Sequence, residues 1–130
     1  MTTMTQPRLT VSRGDVALVL FPNSNLTSAK TRPAVIVQAD NLQTGLSQII
    51  VAMVTSQMFR AGHPSRVTVL LNSPVGQQSG LLTDSVVMTD NLATISLSAV
   101  YRVIGSLPTA EIDLALRHNI RIVMRRRVRR

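Results

Sequence analysis

The sequence predicts a mainly β domain, a compact barrel or sandwich, closed by one C-terminal α-helix. Three observations carry this reading. Short runs rich in Val, Ile and Leu recur along most of the chain. Clusters of Gly, Pro, Asn, Asp and Ser separate them at intervals of roughly ten to fifteen residues, the spacing of a small all-β fold. Near the end the apolar pattern changes once, from strand-like runs to a helical stripe. At 130 residues and 45% apolar content the chain suits a single domain with one real core.

The first run, residues 16–21, is opened by Gly14-Asp15, a turn pair, and ends at Phe21-Pro22. Residues 22–33 hold two prolines and no apolar periodicity, so they are expected to form a long polar loop, which in a small domain often serves as a binding or lid element. Arg32-Pro33 opens the second run, 34–38. The third, 48–54, is closed by Thr55-Ser56, and the fourth occupies 66–71. Pro74, Gly76 and Gly80 make 72–80 an expected mobile turn. Asp84-Ser85 precedes the fifth run, 85–88, and Asp90-Asn91 follows it; the sixth spans 101–106. From Pro108, Ile112, Ala115, Leu116, Ile120 and Val123 fall on one helical stripe. Thr109 is the expected N-cap, Glu111 and Asp113 suit the first turn, and arginines suit the end of the helix dipole.

Composition removes several kinds of chemistry. Without Cys there is no disulfide, thiolate nucleophile or Cys-ligated metal, which fits a reducing compartment. The two histidines, His63 and His118, are not at a ligand spacing from each other or from a carboxylate pair, so no metal site and no cofactor are expected, and both are left out of the catalytic set. There is no Gly-x-Ser-x-Gly elbow, Walker loop or dinucleotide fingerprint. Residues 1–10 lack an apolar run after a basic stretch, and nowhere do about 18 apolar residues follow one another, so a cytoplasmic protein with neither signal peptide nor membrane span is expected.

The formal charge of +8 points to an anionic partner, but six of the fourteen basic residues lie in the last ten positions, and without those six it falls to +2. The arginine tail has three readings: a solvated terminus, a salt-sensitive contact to an RNA backbone, or a contact to an acidic protein. Two Phe, one Tyr and no Trp argue against an aromatic platform for stacked bases.

The ordered series Gly14-Asp15-Val16, Phe21-Pro22, Lys30-Thr31-Arg32-Pro33-Ala34-Val35-Ile36-Val37 and Val54-Thr55-Ser56 resembles the MazF/PemK family of toxin endoribonucleases. The resemblance continues through Gly80-Leu81, Asp84-Ser85-Val86-Val87, Asp90-Asn91, Thr94-Ile95 and Arg102-Val103-Ile104-Gly105. It implies an SH3-like small barrel with its terminal helix over 13–124, an extension over 1–12 and a basic tail over 125–130. It further implies a homodimer, sequence-selective cleavage of single-stranded RNA without a cofactor, and a cognate antitoxin that blocks the RNA site. By similarity Arg32 and Thr55 are the catalytic residues, with Ser56, Lys30, Asp84, Ser85, Asp90 and Asn91 supporting them or touching RNA.

The chain departs from the family at several positions. Ala93 stands where many relatives have a basic residue, Asn91 where they often have Gln, and Met88 where an arginine accompanies the acidic position of Asp90. Residues 22–31 lack a histidine that some members carry. A changed recognition sequence follows. Two other functions are compatible with such a barrel: a CcdB-type toxin that poisons a protein target, although 123–130 does not match the ending of such poisons, and a non-catalytic barrel that binds RNA or a partner.

Overall fold

The structure, a computed structural model, describes residues 10–22, 28–40 and 44–128; for Pro22, Ala29 and residues 122–128 it describes the backbone alone. Most of the extension over 1–12 and the last two arginines therefore lie outside the described residues. The elements run β1 (Asp15–Pro22), β2 (Ala29–Ile36), β3 (Gln48–Thr55), a 3-10 turn (Met58–Arg60), β4 (Arg66–Val69), α1 (Pro74–Ser79), β5 (Ser85–Ser96), a second 3-10 turn (Leu97–Ala99), β6 (Val100–Ser106) and α2 (Thr109–Val128).

The six strands form one antiparallel sheet in the order β4-β5-β3-β2-β1-β6. β4 and β6 are its edges, and no pairing between them closes the sheet among the described residues. Both faces of its centre are buried, which is why the strands read as nearly continuous apolar runs and not as an alternation. On one face Val16, Val35, Ala52, Val69 and Val87 pack with Leu107, Ile112 and Ala115, the last two from α2. On the other, Ala17, Val19, Ala34, Ile36, Val51, Ile95 and Val100 form a second cluster. Bulges in the β1–β6 ladder, between Val16 and Ala17 and between Leu18 and Val19, add the local bend and twist that bulges impose.

Three sequence expectations are corrected. The polar stretch expected as a loop over 22–33 is in its second half a strand: Lys30, Thr31, Arg32 and Pro33 pair with Phe21, Leu20, Val19 and Leu18. The backbone ladder to β1 orders these residues although their side chains carry little apolar pattern. Residues 23–27 of that stretch lie outside the described residues. The expected mobile turn over 72–80 contains α1. Pro74 starts this short helix, Ser73 Oγ accepts from the Gly76 N–H at 3.0 Å, and Gly80 ends it at φ 74°. A Cβ at Gly76 would overlap the Leu70 carbonyl, and one at Gly80 that of Ile104, so both glycines mark close backbone packing. Finally, Asp90-Asn91 does not follow the fifth strand but lies inside it. Between Ala52↔Leu92 and Met53↔Met88 the ladder to β3 skips three residues of β5, Thr89, Asp90 and Asn91, and this offset looks like a turn in the sequence.

The helix begins at Thr109, with Glu111 in its first turn. Ile112 and Ala115 are buried and Leu116 packs beside them, but Ile120 is 58% exposed, so the expected stripe is core-facing only in its first half. Val123's side chain lies outside the described residues. Among the described residues two polar ties hold α2: Arg13 pairs with Asp113 while also donating to the Val37 carbonyl at 2.7 Å, and Asn119 donates to the Thr89 carbonyl at 3.1 Å. No helix among the described residues is long and apolar enough to cross a membrane.

Candidate functional site

The site arises where the sheet comes apart. β2 and β3 pair only at Ala34↔Met53, Val35↔Ala52 and Ile36↔Val51. Beyond Met53 each strand stays bound on its far side: β2 to β1 through Ala29, and β3 to β5 through Thr55↔Val86. The two strands thus part while both remain anchored. Pro33, which has no N–H to donate, stands at the first position past the β2–β3 ladder, where it interrupts no bond to β3.

Arg32 and Thr55 each lie two residues beyond the last pair, Ala34↔Met53. Because side chains alternate with period two, both belong to the face of Ala34 and Met53, and continuing the register sets them opposite each other across the gap. A cleft of about 800 Å³ occupies this split, lined by Arg32, Thr55, Lys30, Ser56, Arg60 and Arg102 among others. Leu18, Pro33, Met53, Val54 and Ile104 contribute apolar wall.

The cleft is positive. None of the six carboxylates of the chain lines it. Several are engaged elsewhere: Asp15 accepts from the Ser12 N–H, Asp40 from the Arg13 N–H, Asp84 from the Leu71 N–H, Asp113 pairs with Arg13, and Asp90 with Arg66 at 2.9 Å. The hydrogen bond from the Arg66 guanidinium holds the Asp90 carboxyl below its ordinary value, against the opposing effect of partial burial. Among the described residues Arg32 has no carboxylate or hydrogen-bond partner, so its fork of donors remains open to a ligand. Thr55 Oγ1 accepts from the Gln57 N–H at 3.1 Å, which leaves its hydroxyl proton to donate.

Six of the eight residues singled out from the sequence line the cleft: Arg32, Thr55, Ser56, Lys30, Ser85 and Asn91. Ser85 is only 3% exposed and its hydroxyl donates to the Thr83 carbonyl at 2.8 Å, so its visible task is to shape a turn. Asp84 and Asp90 do not line it. Asp84 clamps the end of β4 through Leu71, and Asp90 is committed to Arg66. Residues that sequence reasoning passed over are Arg60, whose Nε donates to Gln57 at 3.0 Å, and Arg102, which β6 sets opposite Leu18. Nothing local in the sequence marks Arg60. Arg102 becomes legible only once β6 is known to pair with β1, its distant neighbour in sequence.

His63 and His118 do meet, ring edge to face with centroids 6.1 Å apart, but away from the cleft. His63 Nδ1 accepts from the Ser65 N–H at 3.1 Å, giving that ring a structural task.

The sequence pattern of the PemK-like, MazF-like toxin of type II toxin-antitoxin systems matches residues 12–124. The chain belongs to this PemK/MazF-like toxin family. Solved structures of similar fold include the Mycobacterium tuberculosis toxin MazF-mt6, 24% identical with a TM-score of 0.62, covering 85% of this chain and 96% of that one. A mycobacterial endoribonuclease in complex with its cognate antitoxin is 19% identical, with a TM-score of 0.62 and coverage of 87% and 97%. MazF in a MazE-MazF structure from Deinococcus radiodurans is 15% identical, with a TM-score of 0.67 and coverage of 88% and 96%. No curated protein sequence matches. Within this PemK/MazF-like fold the unusual Met88 is buried under Arg60, whose guanidinium lies 3.8 Å from its sulfur, and Ala93 sits in β5 opposite Val51.

Proposed function

We propose that this toxin is a sequence-selective, metal-independent endoribonuclease acting on single-stranded RNA. The observation that carries the reading is a cationic cleft that no carboxylate lines and that Arg32 and Thr55, each two residues past the last β2–β3 pair, both line. A carboxylate there would repel a polyanion and neutralise the free arginine; four cations, Lys30, Arg32, Arg60 and Arg102, do the reverse.

In this reading the ribose 2′-hydroxyl attacks the adjacent phosphorus in line. The bond to the 5′-oxygen breaks, leaving a 2′,3′-cyclic phosphate and a 5′-hydroxyl end. The substrate supplies its own nucleophile, so the protein's work is to orient it and to stabilise charge that grows on the phosphoryl oxygens. Arg32 suits that task, because a planar guanidinium offers paired donors to two oxygens at once. A guanidinium already carries its full set of protons and has no acceptor lone pair with which to take the 2′ proton, so charge stabilisation is its role. Thr55 donates its hydroxyl to the same phosphate, and Ser56 and Lys30 extend the donor set toward the flanking strand. Asn91, at the β5 offset, takes a place in base contact.

The same reading treats the six-stranded sheet as an SH3-like barrel. It also includes a homodimer in the cytoplasm and a cognate antitoxin that covers the cleft; the exposed Ile50, Leu92 and Ile120 supply apolar surface of the kind such contacts bury. The test is to incubate the purified protein with a long mRNA in EDTA and map every new end. Discrete cuts with 5′-hydroxyl ends are expected. Intact RNA would overturn the assignment.

A further inference from the structure

Arg32 and Arg102 line one cleft but belong to opposite faces of the sheet. In the β6-β1-β2 part, Arg102, Leu18 and Pro33 form a row of register partners, and Arg32 is the next residue along β2, facing the other way. The cleft reaches both because the sheet is split there. β6 and β2 are separated by β1, so the two arginine backbones stand about 10 Å apart at the usual strand spacing. A phosphate seated between Arg32 and Thr55 therefore leaves Arg102 available to another.

Arg102 is exposed and has no carboxylate or hydrogen-bond partner among the described residues, in contrast to Arg13, Arg60 and Arg66. The turn after α1 carries Leu82, 94% exposed, which lines the same cleft as Arg102. This leucine is not displayed on a loose segment. Gly80 packs against the Ile104 carbonyl of β6, and Leu81 is buried in the core, so the backbone on the near side of Leu82 is pinned. A large apolar side chain held in water and an unpaired guanidinium on the same cleft match the two surfaces of a nucleotide: an apolar base face and a charged phosphate.

We propose that Arg102 and Leu82 form a second nucleotide subsite, with Arg102 holding a phosphate next to the scissile one and Leu82 covering its base. The proposal rests on the endoribonuclease reading, and deepens it by assigning the path of the strand from one face of the split sheet to the other. Arg102 is a positioning residue, not a reacting one.

The experiment measures binding of a mixed-sequence single-stranded 2′-deoxy oligonucleotide, which carries no attacking hydroxyl, against salt concentration. It uses the wild-type chain, Arg102→Gln, Arg102→Lys and Leu82→Ser, followed by RNA cleavage kinetics on the same proteins. Arg102→Gln is expected to lower the slope of log affinity against log salt by about 0.7, the loss of one phosphate contact on a single strand, and Arg102→Lys to restore it. Leu82→Ser should weaken binding without changing the slope. In cleavage, Arg102→Gln should raise KM on the order of tenfold with little change in kcat. An unchanged slope in Arg102→Gln would overturn the subsite, and so would a fall in kcat at constant KM. Binding that depends on Arg102 without any RNA cleavage would leave the subsite standing and sink the nuclease reading. A wild-type chain that binds no oligonucleotide at low salt would overturn the subsite, and RNA cleavage by the same preparation would leave the nuclease reading standing.

Discussion

Two pairs of arginines in this toxin contrast. Arg13 and Arg66 are each met by a carboxylate, Asp113 and Asp90, and each also donates to a backbone carbonyl, Val37 and Arg60 respectively. Arg32 and Arg102 meet no such partner among the described residues, and both line the cleft. The first pair joins elements that are far apart in sequence: Arg13 brings the start of β1 to α2, and Arg66 ties β4 to the offset in β5. The second stands where β2 and β3 have parted. The difference teaches that the cleft's charge is a consequence of where the few acids are used. With only six carboxylates in the chain, those committed to turns and ties are withheld from the cleft.

Breaking the free pair should cost activity and spare the fold. Arg32→Ala is expected to slow RNA cleavage on the order of 1,000-fold or more, as loss of a principal charge-stabilising group does. Its melting temperature should stay near that of the wild type, because the side chain is exposed and makes no internal bond. Rate and thermal melt measured on the same preparation check both halves.

Breaking the scaffold should do the opposite. Gly80→Ala forces a Cβ onto the Ile104 carbonyl at a positive φ of 74° and is expected to cost about 3 kcal/mol of stability. Denaturant unfolding would reveal it as a lower midpoint. Thr55→Ala comes next, at about 100-fold in rate, strong but incomplete because Arg32 remains.

The smallest expected effect belongs to the carboxylate-bound pair. Asp90→Asn removes a partly exposed ion pair and should cost at most about 1 kcal/mol. The sign of its pH dependence follows from the lowered pKa of Asp90 in the folded chain. The pair's contribution is present above the ordinary carboxylate pKa and is lost as pH falls through the lower folded value. The stability gap between wild type and Asp90→Asn should therefore be widest near neutrality and close in acid. A gap that widened in acid would contradict the ion-pair account.

Much of this arrangement is legible in the chain. The apolar runs of β1, β3, β4 and β6 mark themselves through β-branched residues, and the terminal helix through its stripe at Ile112, Ala115 and Leu116. Arg32 and Thr55 stand out through the ordered series that resembles the family, Arg32-Pro33 opening one apolar run and Thr55-Ser56 closing the next. What stays hidden depends on pairing partners. Lys30, Thr31 and Arg32 are strand residues because β1 lies alongside, not because of their own pattern. Asp90-Asn91 looks like a turn because the offset in β5 has the composition of one. α1 carries a capping serine and an N1 proline, both readable, but Gly76 argues against a helix until its contact with Leu70 is known. Arg102 requires the β1–β6 ladder, a partnership between the two ends of the sheet's sequence. Asp84 shows the reverse case: an acid beside a family motif whose bond to Leu71 is structural.

The central claim is that this carboxylate-free cleft cuts RNA by using the substrate's own hydroxyl, with Arg32 and Thr55 stabilising the phosphate. The most direct measurement compares, in EDTA, one RNA strand containing a mapped cut site with the same strand bearing a single 2′-deoxynucleotide on the 5′ side of that site. The expected result is cleavage of the first to a 2′,3′-cyclic phosphate and none of the second at that position, with both strands bound equally well. Cleavage of the deoxy-substituted strand at the same bond would contradict it.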